Sequence, residues 1–283
     1  MQTIGIIGSG TMGSGIAEVA ALNGYEVILH DVSADALANA LARVTSDLQR
    51  SVSKGRISQD DAVQAGERFH PRESFADLAG VELVIEAALE SLDVKREIFQ
   101  KLDEIMPGDV ILATNTSSLS ITAIGAMTRR PERVVGMHFF NPPPVMKLVE
   151  IVQGKHTSQR TIQVALDVAS SMGKTPVLCK DTPGFIVNRV ARPFYGEALR
   201  LLGEGVASVE EIDRIVRAEG GFRMGPFELM DLIGIDVNYA VTQSVYEQFF
   251  HEPRFRPHPI QRQMVDAGTL GRKTRRGFYS YDT

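Results

Sequence analysis

The chain has 283 residues, of which 43% are hydrophobic and 23% charged, and this length supports a full core and two domains. Its formal net charge of -5 gives no general attraction to nucleic acid or anionic membranes, and no apolar run reaches membrane-spanning length. The one cysteine cannot form an internal disulfide, and an apolar run begins within two residues of Met1, which leaves no room for a secretory signal, so we expect a cytoplasmic protein.

The N-terminal stretch has the pattern of a dinucleotide-binding unit. An apolar run at residues 3–7 leads into a glycine-rich turn, a helical pattern follows, and a second apolar run ends at Asp31. In the turn, Gly8 permits a tight bend, Gly10 lets the backbone approach a pyrophosphate, and Gly13 lets helix pack on strand. A flexible glycine loop would not need this strand-helix-strand context, so the pattern favours a bound dinucleotide.

Asp31 bears on which dinucleotide is bound. It lies 18 positions after Gly13, near the offset of about 20 residues at which a carboxylate accepts hydrogen bonds from ribose hydroxyls. Such a carboxylate would repel a 2'-phosphate, and no arginine follows immediately, so NAD is expected rather than NADP. The alternative is that Asp31 caps the next helix, a role that Ser33 could fill instead.

Residues 34–64 predict a helical hairpin, with a break between its two helices at residues 54–56. A simple crossover between two parallel strands would need only one helix. Lys54 near its tip could bind an anion, although basic residues at helix ends are more often only solvated. Two strands, at 81–88 and 110–114, should follow, with a helix between them.

The second of these strands opens into the polar segment Asn115-Thr-Ser117-Ser-Leu-Ser. Ligands of open α/β sheets bind at the carboxyl ends of the strands, so Ser117 is a candidate catalytic residue. The alternative is that serines of this segment cap the next helix, which would not exclude a catalytic Ser117.

A proline turn separates two apolar runs, of which one carries His138 and the other Glu150. Two strands joined by this turn would bring the two side chains together. Imidazole suits a general acid/base because its pKa lies near neutrality. The alternative is a core histidine beside a solvated glutamate.

A helix at about 158–171 and a strand ending at Cys179 should complete an α/β domain over residues 1–182. Cys179 lies in an apolar strand and is expected to be a buried structural thiol rather than a nucleophile. Strand-like alternation then stops, and residues 183–283 should form a helical domain that binds substrate.

The helical domain begins with an apolar segment, residues 185–192, that is predicted to be buried. Asn188 within it would need polar partners, either from a neighbouring helix or from a ligand. Residues 229–241 carry more apolar surface than this small domain can readily hide, so a homodimer interface is expected there. Packing on the first domain is the alternative.

Five motifs follow one another between Ile4 and Tyr281: Gly8-Ser-Gly-Thr-Met-Gly13, Asn115-Thr-Ser-Ser118, His138-Phe-Phe-Asn-Pro142, Pro183-Gly-Phe-Ile-Val-Asn-Arg189 and Gly277-Phe-Tyr279. In this order they resemble the L-3-hydroxyacyl-CoA dehydrogenase family, and within it the bacterial 3-hydroxybutyryl-CoA dehydrogenases. The resemblance implies an α/β Rossmann-type domain with an αα-hairpin insertion, followed by an all-α domain. It also implies NAD-dependent oxidation of an L-3-hydroxyacyl-CoA to the 3-ketoacyl-CoA, or the reverse.

The resemblance further implies roles for individual residues. His138 would be the catalytic acid/base and Glu150 its partner, while Ser117 and Asn188 would contact the reacting oxygen. Lys54 would contact coenzyme A, although Asp47 stands where the animal members have a serine, and an anion there does not favour the nucleotide's phosphates. The implied NAD contacts are Gly8, Ser9, Gly10, Thr11, Met12, Gly13, Asp31, Glu90, Lys95, Ser117, Asn141 and Lys273.

Two other functions are compatible with the sequence. A dehydrogenase of a free hydroxy or sugar acid shares this fold and most of these motifs, and Lys54 argues against it. A dinucleotide-binding sensor or structural protein would not need to keep His138, Glu150, Ser117 and Asn188 together. Within the acyl-CoA substrates, butyryl and adipyl groups are both compatible with the sequence.

Overall fold

The structure, a computed structural model, describes residues 1–281. The chain divides into two compact units, Met1–Thr182 and Pro183–Thr283, and the last two residues of the second lie outside the described part. The strands of the first unit are β1 (Thr3–Ile7), β2 (Glu26–His30), β3 (Phe69–Arg72), β4 (Leu83–Glu86), β5 (Ile111–Thr114), β6 (Val134–Phe139), β7 (Leu148–Gln153) and β8 (Thr175–Lys180). Its helices are α1 (Thr11–Leu22), α2 (Ala34–Ser53), α3 (Gln59–Glu67), α4 (Leu92–Ile105), α5 (Ile121–Gly125) and α6 (Gln159–Ser171).

One sheet carries all of these strands, in the order β3-β2-β1-β4-β5-β6-β7-β8. Every neighbouring pair is parallel except β6 with β7, which is antiparallel. The chain leaves β1 toward β2 on one side and returns to β4 on the other, so the carboxyl end of β1 is a topological switch point. Ile7 pairs with both His30 and Glu86 there, and the residues that follow these three strands therefore meet at one edge.

The glycine turn after β1 has little room for side chains. Gly8 has a φ of 95°, and a Cβ on it would lie 2.7 Å from the carbonyl oxygen of Ala87. A Cβ on Gly13 would lie 1.7 Å from the carbonyl oxygen of Gly8. Only glycine permits α1 to start this close to the sheet, which is the geometry expected of a dinucleotide-binding turn.

The predicted helical hairpin is present as α2 and α3. Ser33 caps α2 by accepting a hydrogen bond from Ala36, and Ser58 begins α3 in a capping box with Asp61. Ser33 therefore fills the capping role that was the alternative for Asp31. The hairpin leads into β3, which we did not predict because its four residues include Pro71 and show no strand alternation.

The prediction that Cys179 is a buried thiol is wrong as to its burial, since the residue is only half-buried. It lies on β8, which pairs only with β7 and so forms an edge of the sheet, with much of its length exposed. An apolar strand sequence does not by itself distinguish an edge from the centre of a sheet. Burial, followed by the negative charges of Glu150 and Asp181, raises the pKa of Cys179 to about 12, which does not suit a nucleophile.

The second unit is mainly helical in its described part, with two isolated β-bridges among residues 271–280. Its helices are α7 (Val187–Gly203), α8 (Val209–Ala218), α9 (Pro226–Ile233), α10 (Ile235–Gln248) and α11 (Pro259–Asp266). They enclose a small core built around Tyr195, Leu199, Phe227 and Met230. This arrangement, together with the parallel sheet of the first unit, confirms the predicted fold class.

The segment at 185–192 is less buried than we predicted. Ile186 is 40% exposed and Val190 is 68% exposed, whereas Phe185 and Arg192 are buried. The segment enters α7, and a surface helix buries one face only, so an apolar sequence on several faces did not imply burial. In the described part of the chain, no helix combines the length and apolar character needed to span a membrane.

Candidate active site

His138 and Glu150 form a buried pair. They are direct partners in the β6–β7 register, and Nδ1 of His138 lies 2.7 Å from Oε2 of Glu150. The histidine is 6% exposed and the glutamate 1%. The alternative of a solvated glutamate is therefore wrong. A carboxylate at Nδ1 favours the tautomer that carries its hydrogen on that nitrogen, which leaves Nε2 as the ring atom suited to exchange a proton.

The polar segment after β5 is held by Glu90. The carboxylate accepts hydrogen bonds from Oγ1 of Thr116 at 2.5 Å and from the backbone N–H of Ser117 at 3.0 Å. Desolvation opposes ionisation of this carboxyl, but the charge of Lys95 and these hydrogen bonds outweigh it and lower the pKa of Glu90. An anionic Glu90 thus fixes the backbone that presents Ser117.

Asn115 connects the same segment to the histidine strand. Its side-chain oxygen accepts a 2.8 Å hydrogen bond from the backbone N–H of Phe139, the residue after His138. Ser117 lies two residues after Asn115 and is half-buried. The strand ends therefore bring the predicted serine and histidine segments to one edge of the sheet.

Lys95, for which the family resemblance implies a contact with NAD, is buried, and the sequence did not predict this burial. It is 1% exposed, and its ammonium lies 2.7 Å from Oε1 of the buried Glu86 and 3.4 Å from Oε2 of Glu90. Thr114 also donates to Glu86. In this structure Lys95 presents almost no surface to a ligand. Its role is to form an ion pair with Glu90 from the interior of the protein.

A cavity of about 690 Å³ opens at the switch point of the sheet. Its lining includes Asp31, whose Oδ2 accepts hydrogen bonds from the backbone N–H and the hydroxyl of Ser9, both at 2.8 Å. Desolvation opposes ionisation of Asp31, but the bonds from Ser9 and Ser33 lower its pKa. Of the predicted glycine-turn contacts, the following line the cavity: Gly8, Gly10, Thr11 and Met12. Ser9 and Gly13 are buried instead.

Three further residues of this cavity were missed by sequence reasoning. The ring of His30 packs on that of Phe75 with 4.2 Å between centroids, and the ammonium of Lys101 lies 4.1 Å from the Phe75 centroid. Phe75 comes from a 3₁₀ turn and Lys101 from α4, and neither belongs to a recognisable motif. Only the chain's path around the sheet brings them to the glycine turn.

A second cavity, of about 630 Å³, is lined by α1, α2, the hairpin tip and the proline turn. Its basic residues are Arg43, Arg50, Lys54 and Arg56, and its acidic residues are Glu18 and Asp47. The Asp47 carboxylate lies 3.1 Å from the Arg50 guanidinium. The anion at Asp47 is thus paired, and the cavity keeps more positive than negative charge.

The proline turn itself carries Asn141, which is exposed and precedes a cis bond to Pro142. Lys174 stabilises this turn, because its ammonium donates hydrogen bonds to the carbonyl oxygens of Pro143 at 2.6 Å and Met146 at 3.1 Å. Turn residues 142–145 also line the second cavity. The turn therefore runs from the histidine strand to the basic cavity.

Asn188 and Lys273 belong to the second unit. Asn188 is half-buried in the first turn of α7, and its carbonyl oxygen accepts a 3.1 Å hydrogen bond from Nε of Arg192. Lys273 lies in a 3₁₀ turn near the end of the described chain and donates to Oδ2 of Asp236 at 2.6 Å.

Two family models match the chain end to end. The model described as "3-hydroxyacyl-CoA dehydrogenase, NAD binding domain" matches residues 3–182, and the "3-hydroxyacyl-CoA dehydrogenase, C-terminal domain" matches residues 184–281. Their boundary coincides with that between the two compact units.

Curated relatives and solved structures agree with these matches. The chain is 50% identical to a 3-hydroxyadipyl-CoA dehydrogenase of Escherichia coli, over 99% of this chain but only 59% of that protein. It is 43% identical to a 3-hydroxybutyryl-CoA dehydrogenase of Bradyrhizobium diazoefficiens, over 99% of this chain and 96% of that protein. A crystal structure of an (S)-3-hydroxybutyryl-CoA dehydrogenase from Ralstonia eutropha superimposes with a TM-score of 0.96 at 43% identity and full coverage of both chains.

Proposed function

The chain belongs to the 3-hydroxyacyl-CoA dehydrogenase family, and we propose that it oxidises an L-3-hydroxyacyl-CoA to the 3-ketoacyl-CoA, or catalyses the reverse, with NAD. As a member of this family it is an oxidoreductase with an NAD-binding domain. The observation that carries the proposed mechanism is the buried pair of His138 and Glu150, with 2.7 Å between Nδ1 and Oε2.

The oxidation needs a base at the substrate hydroxyl. Loss of hydride from C3 leaves positive character on that carbon unless the hydroxyl proton also departs. Nε2 of His138 would take this proton, and the carboxylate of Glu150 would hold the ring and stabilise the imidazolium that forms. Because both residues are buried, the carboxylate acts at low dielectric, where its attraction for the imidazolium is strong.

The first cavity fits the adenosine half of NAD. Its glycine turn lets a ligand approach the backbone closely, and Oδ1 of Asp31 accepts only one described hydrogen bond, from Ser33 at 3.2 Å, so it can accept another from a ribose hydroxyl. An anionic Asp31 repels a 2'-phosphate, which supports NAD over NADP. When bound, NAD supplies the hydride acceptor.

We assign the other contacts on the family resemblance. Ser117 and Asn188 would hydrogen-bond the reacting oxygen. Glu90, Asn141 and Lys273 would contact NAD, and Lys95 would act by holding Glu90 rather than through a surface of its own.

The second cavity supports a coenzyme A thioester over a free hydroxy acid. A free acid would have no use for a separate basic cavity beside the hairpin tip, whereas the phosphates of coenzyme A would pair with Lys54 and its basic neighbours. The ion pair of Asp47 with Arg50 removes much of the objection that Asp47 raised. The names of the relatives include both 3-hydroxybutyryl-CoA and 3-hydroxyadipyl-CoA, so we propose a short acyl chain.

We further propose a cytoplasmic homodimer formed through the helical unit. Leu232, Ile233 and Val237 are each more than 40% exposed, and together they present apolar surface that a partner copy would cover. A single half-buried cysteine is compatible with a reducing compartment.

Absorbance of NADH during incubation with acetoacetyl-CoA tests the proposal. We expect NADH consumption by the wild type and none by His138→Ala, with NADH binding retained in the variant. Consumption with a free 3-keto or sugar acid but not with the thioester would support the rival dehydrogenase. Tight NADH binding without turnover of either substrate class would support a sensor.

A further inference from the structure

Arg192 is a buried cation that forms no ion pair with an anion of residues 1–281. It is 4% exposed, and none of the ion pairs within 4.0 Å formed by the described residues involves it. Burial lowers the pKa of Arg192 to about 10, with only Tyr195 opposing, so its guanidinium is charged at neutral pH. Burying a charge without a counter-ion is costly, and proteins rarely retain such a group without a use for it.

The hydrogen bonds of Arg192 leave part of its guanidinium available. Nη1 donates to the carbonyl oxygen of Asn238 at 2.9 Å and to Oγ1 of Thr242 at 2.8 Å, and Nε donates to the carbonyl oxygen of Asn188. These acceptors are all neutral, and among the described bonds none uses Nη2. Asn238 adds a second available donor, because its buried Nδ2 has no acceptor in the described part of the chain. A buried positive charge with an unused N–H donor suits an anionic acceptor.

The position of Arg192 relates it to the substrate. It lies one helical turn after Asn188, and residues four apart share a helix face. The two α-carbons are therefore separated by about 6 Å along the helix axis. If Asn188 contacts the oxygen on C3 and the acyl chain runs along α7 from there, the part of the chain beyond C3 lies beside Arg192.

We propose that Arg192 binds the terminal carboxylate of a dicarboxylic 3-hydroxyacyl-CoA, and so selects such acyl chains over uncharged ones. This inference rests on the proposed function. A carboxylate three bonds beyond C3, as in 3-hydroxyadipyl-CoA, lies about 4 Å from C3 when the chain is extended. That length, plus a hydrogen bond of about 2.8 Å, matches the separation of one helical turn.

The test compares two substrates of equal chain length, 3-hydroxyadipyl-CoA and 3-hydroxyhexanoyl-CoA, which differ in whether C6 is a carboxylate or a methyl group. For the wild type we expect kcat/KM to be at least about 10-fold higher with the adipyl substrate. In Arg192→Met the ratio of the two values should fall about 100-fold, as expected when a charge-assisted bond in a buried site is lost. Using the ratio cancels any general loss of folded enzyme.

Arg200→Met is the matched control, because Arg200 lies on the same helix but is only half-buried and is paired with Glu197. Its ratio should equal that of the wild type. An unchanged ratio in Arg192→Met overturns the role of Arg192. A wild-type ratio at or below one overturns it as well, even if the variant does not fold. Absence of turnover with these substrates and with 3-hydroxybutyryl-CoA would instead overturn the proposed function and this inference with it.

Discussion

His138 and Glu150 face each other directly across β6 and β7, with 2.7 Å between Nδ1 and Oε2. These strands form the one antiparallel pair of the described sheet. A short turn can connect antiparallel strands, whereas parallel strands need a long crossover. The strand reversal is therefore what places the two residues, twelve positions apart, in one hydrogen bond.

Replacing Glu150 with glutamine tests the importance of this contact. The amide keeps the size of the side chain but removes its charge, so the imidazolium loses its stabilising partner. We expect kcat to fall by about 10²- to 10⁴-fold, the range that general acid–base catalysis typically contributes. Steady-state NADH absorbance measures kcat, and fluorescence titration measures the Kd of NADH, which should change little. If turnover and NADH affinity both match the wild type, Glu150 has no part in the mechanism.

Asp31→Ala should relax the choice of dinucleotide. The variant loses a carboxylate that accepts hydrogen bonds from ribose hydroxyls and repels a 2'-phosphate. We expect the KM for NAD to rise about 10- to 100-fold, the cost of losing a hydrogen bond to a charged group, while the KM for NADP falls. Asp35→Ala is the control, since Asp35 is exposed in the first turn of α2. A variant that still prefers NAD as strongly as the wild type would show that another residue sets the preference.

The parts of the site that the sequence predicted are marked by patterns of residues close together along the chain. The glycine turn requires its residue types for steric reasons that are readable within one βαβ unit, and Asp31 follows at a fixed offset. His138 and Glu150 were predictable because a proline turn between two apolar runs predicts a strand reversal.

The parts that the sequence did not predict depend on how distant segments pack. Phe75 and Lys101 reach the first cavity only through the order of strands in the sheet. The burial of Lys95 follows from its ion pair with Glu86, which a sequence does not display. The partial exposure of Cys179 follows from β8 being an edge strand.

Lys54→Ala should weaken the grip on coenzyme A without affecting the chemistry. Lys54 lines the basic cavity and is exposed, so the variant should lose an ion pair with phosphate that is weakened by solvent. We expect the KM for acetoacetyl-CoA to rise about 5- to 10-fold at low salt, and the difference to shrink at high salt as the charges are screened. Acetoacetyl-pantetheine, which lacks the nucleotide, should not distinguish the variant from the wild type. Lys155→Ala, another exposed lysine, serves as control, and an equal loss with both thioesters would place Lys54 elsewhere in the mechanism.

Glu18 should make the protein less stable as the pH rises. It is 2% exposed on α1 beside the basic cavity. Burial, and then the negative charge of Asp47, raises its pKa from 4.5 to about 7, against a smaller opposing effect of Lys174. The unfolded chain therefore releases this proton near pH 4.5, while the folded protein holds it until about pH 7. By linkage, the free energy of unfolding falls across this window, by about 3 kcal/mol at most.

Glu18→Gln removes this titration while keeping the shape of the side chain. We expect the variant to unfold at higher urea concentration than the wild type at pH 8, and the difference to vanish well below pH 4.5, because the wild-type carboxyl is then protonated in both states. Circular dichroism across a series of pH values measures the midpoints. Glu67→Gln, at an exposed glutamate near the end of α3, should leave the pH dependence as it is in the wild type. If the urea midpoints of the wild type and Glu18→Gln differ by the same amount at all pH values, the buried carboxyl does not titrate in this window.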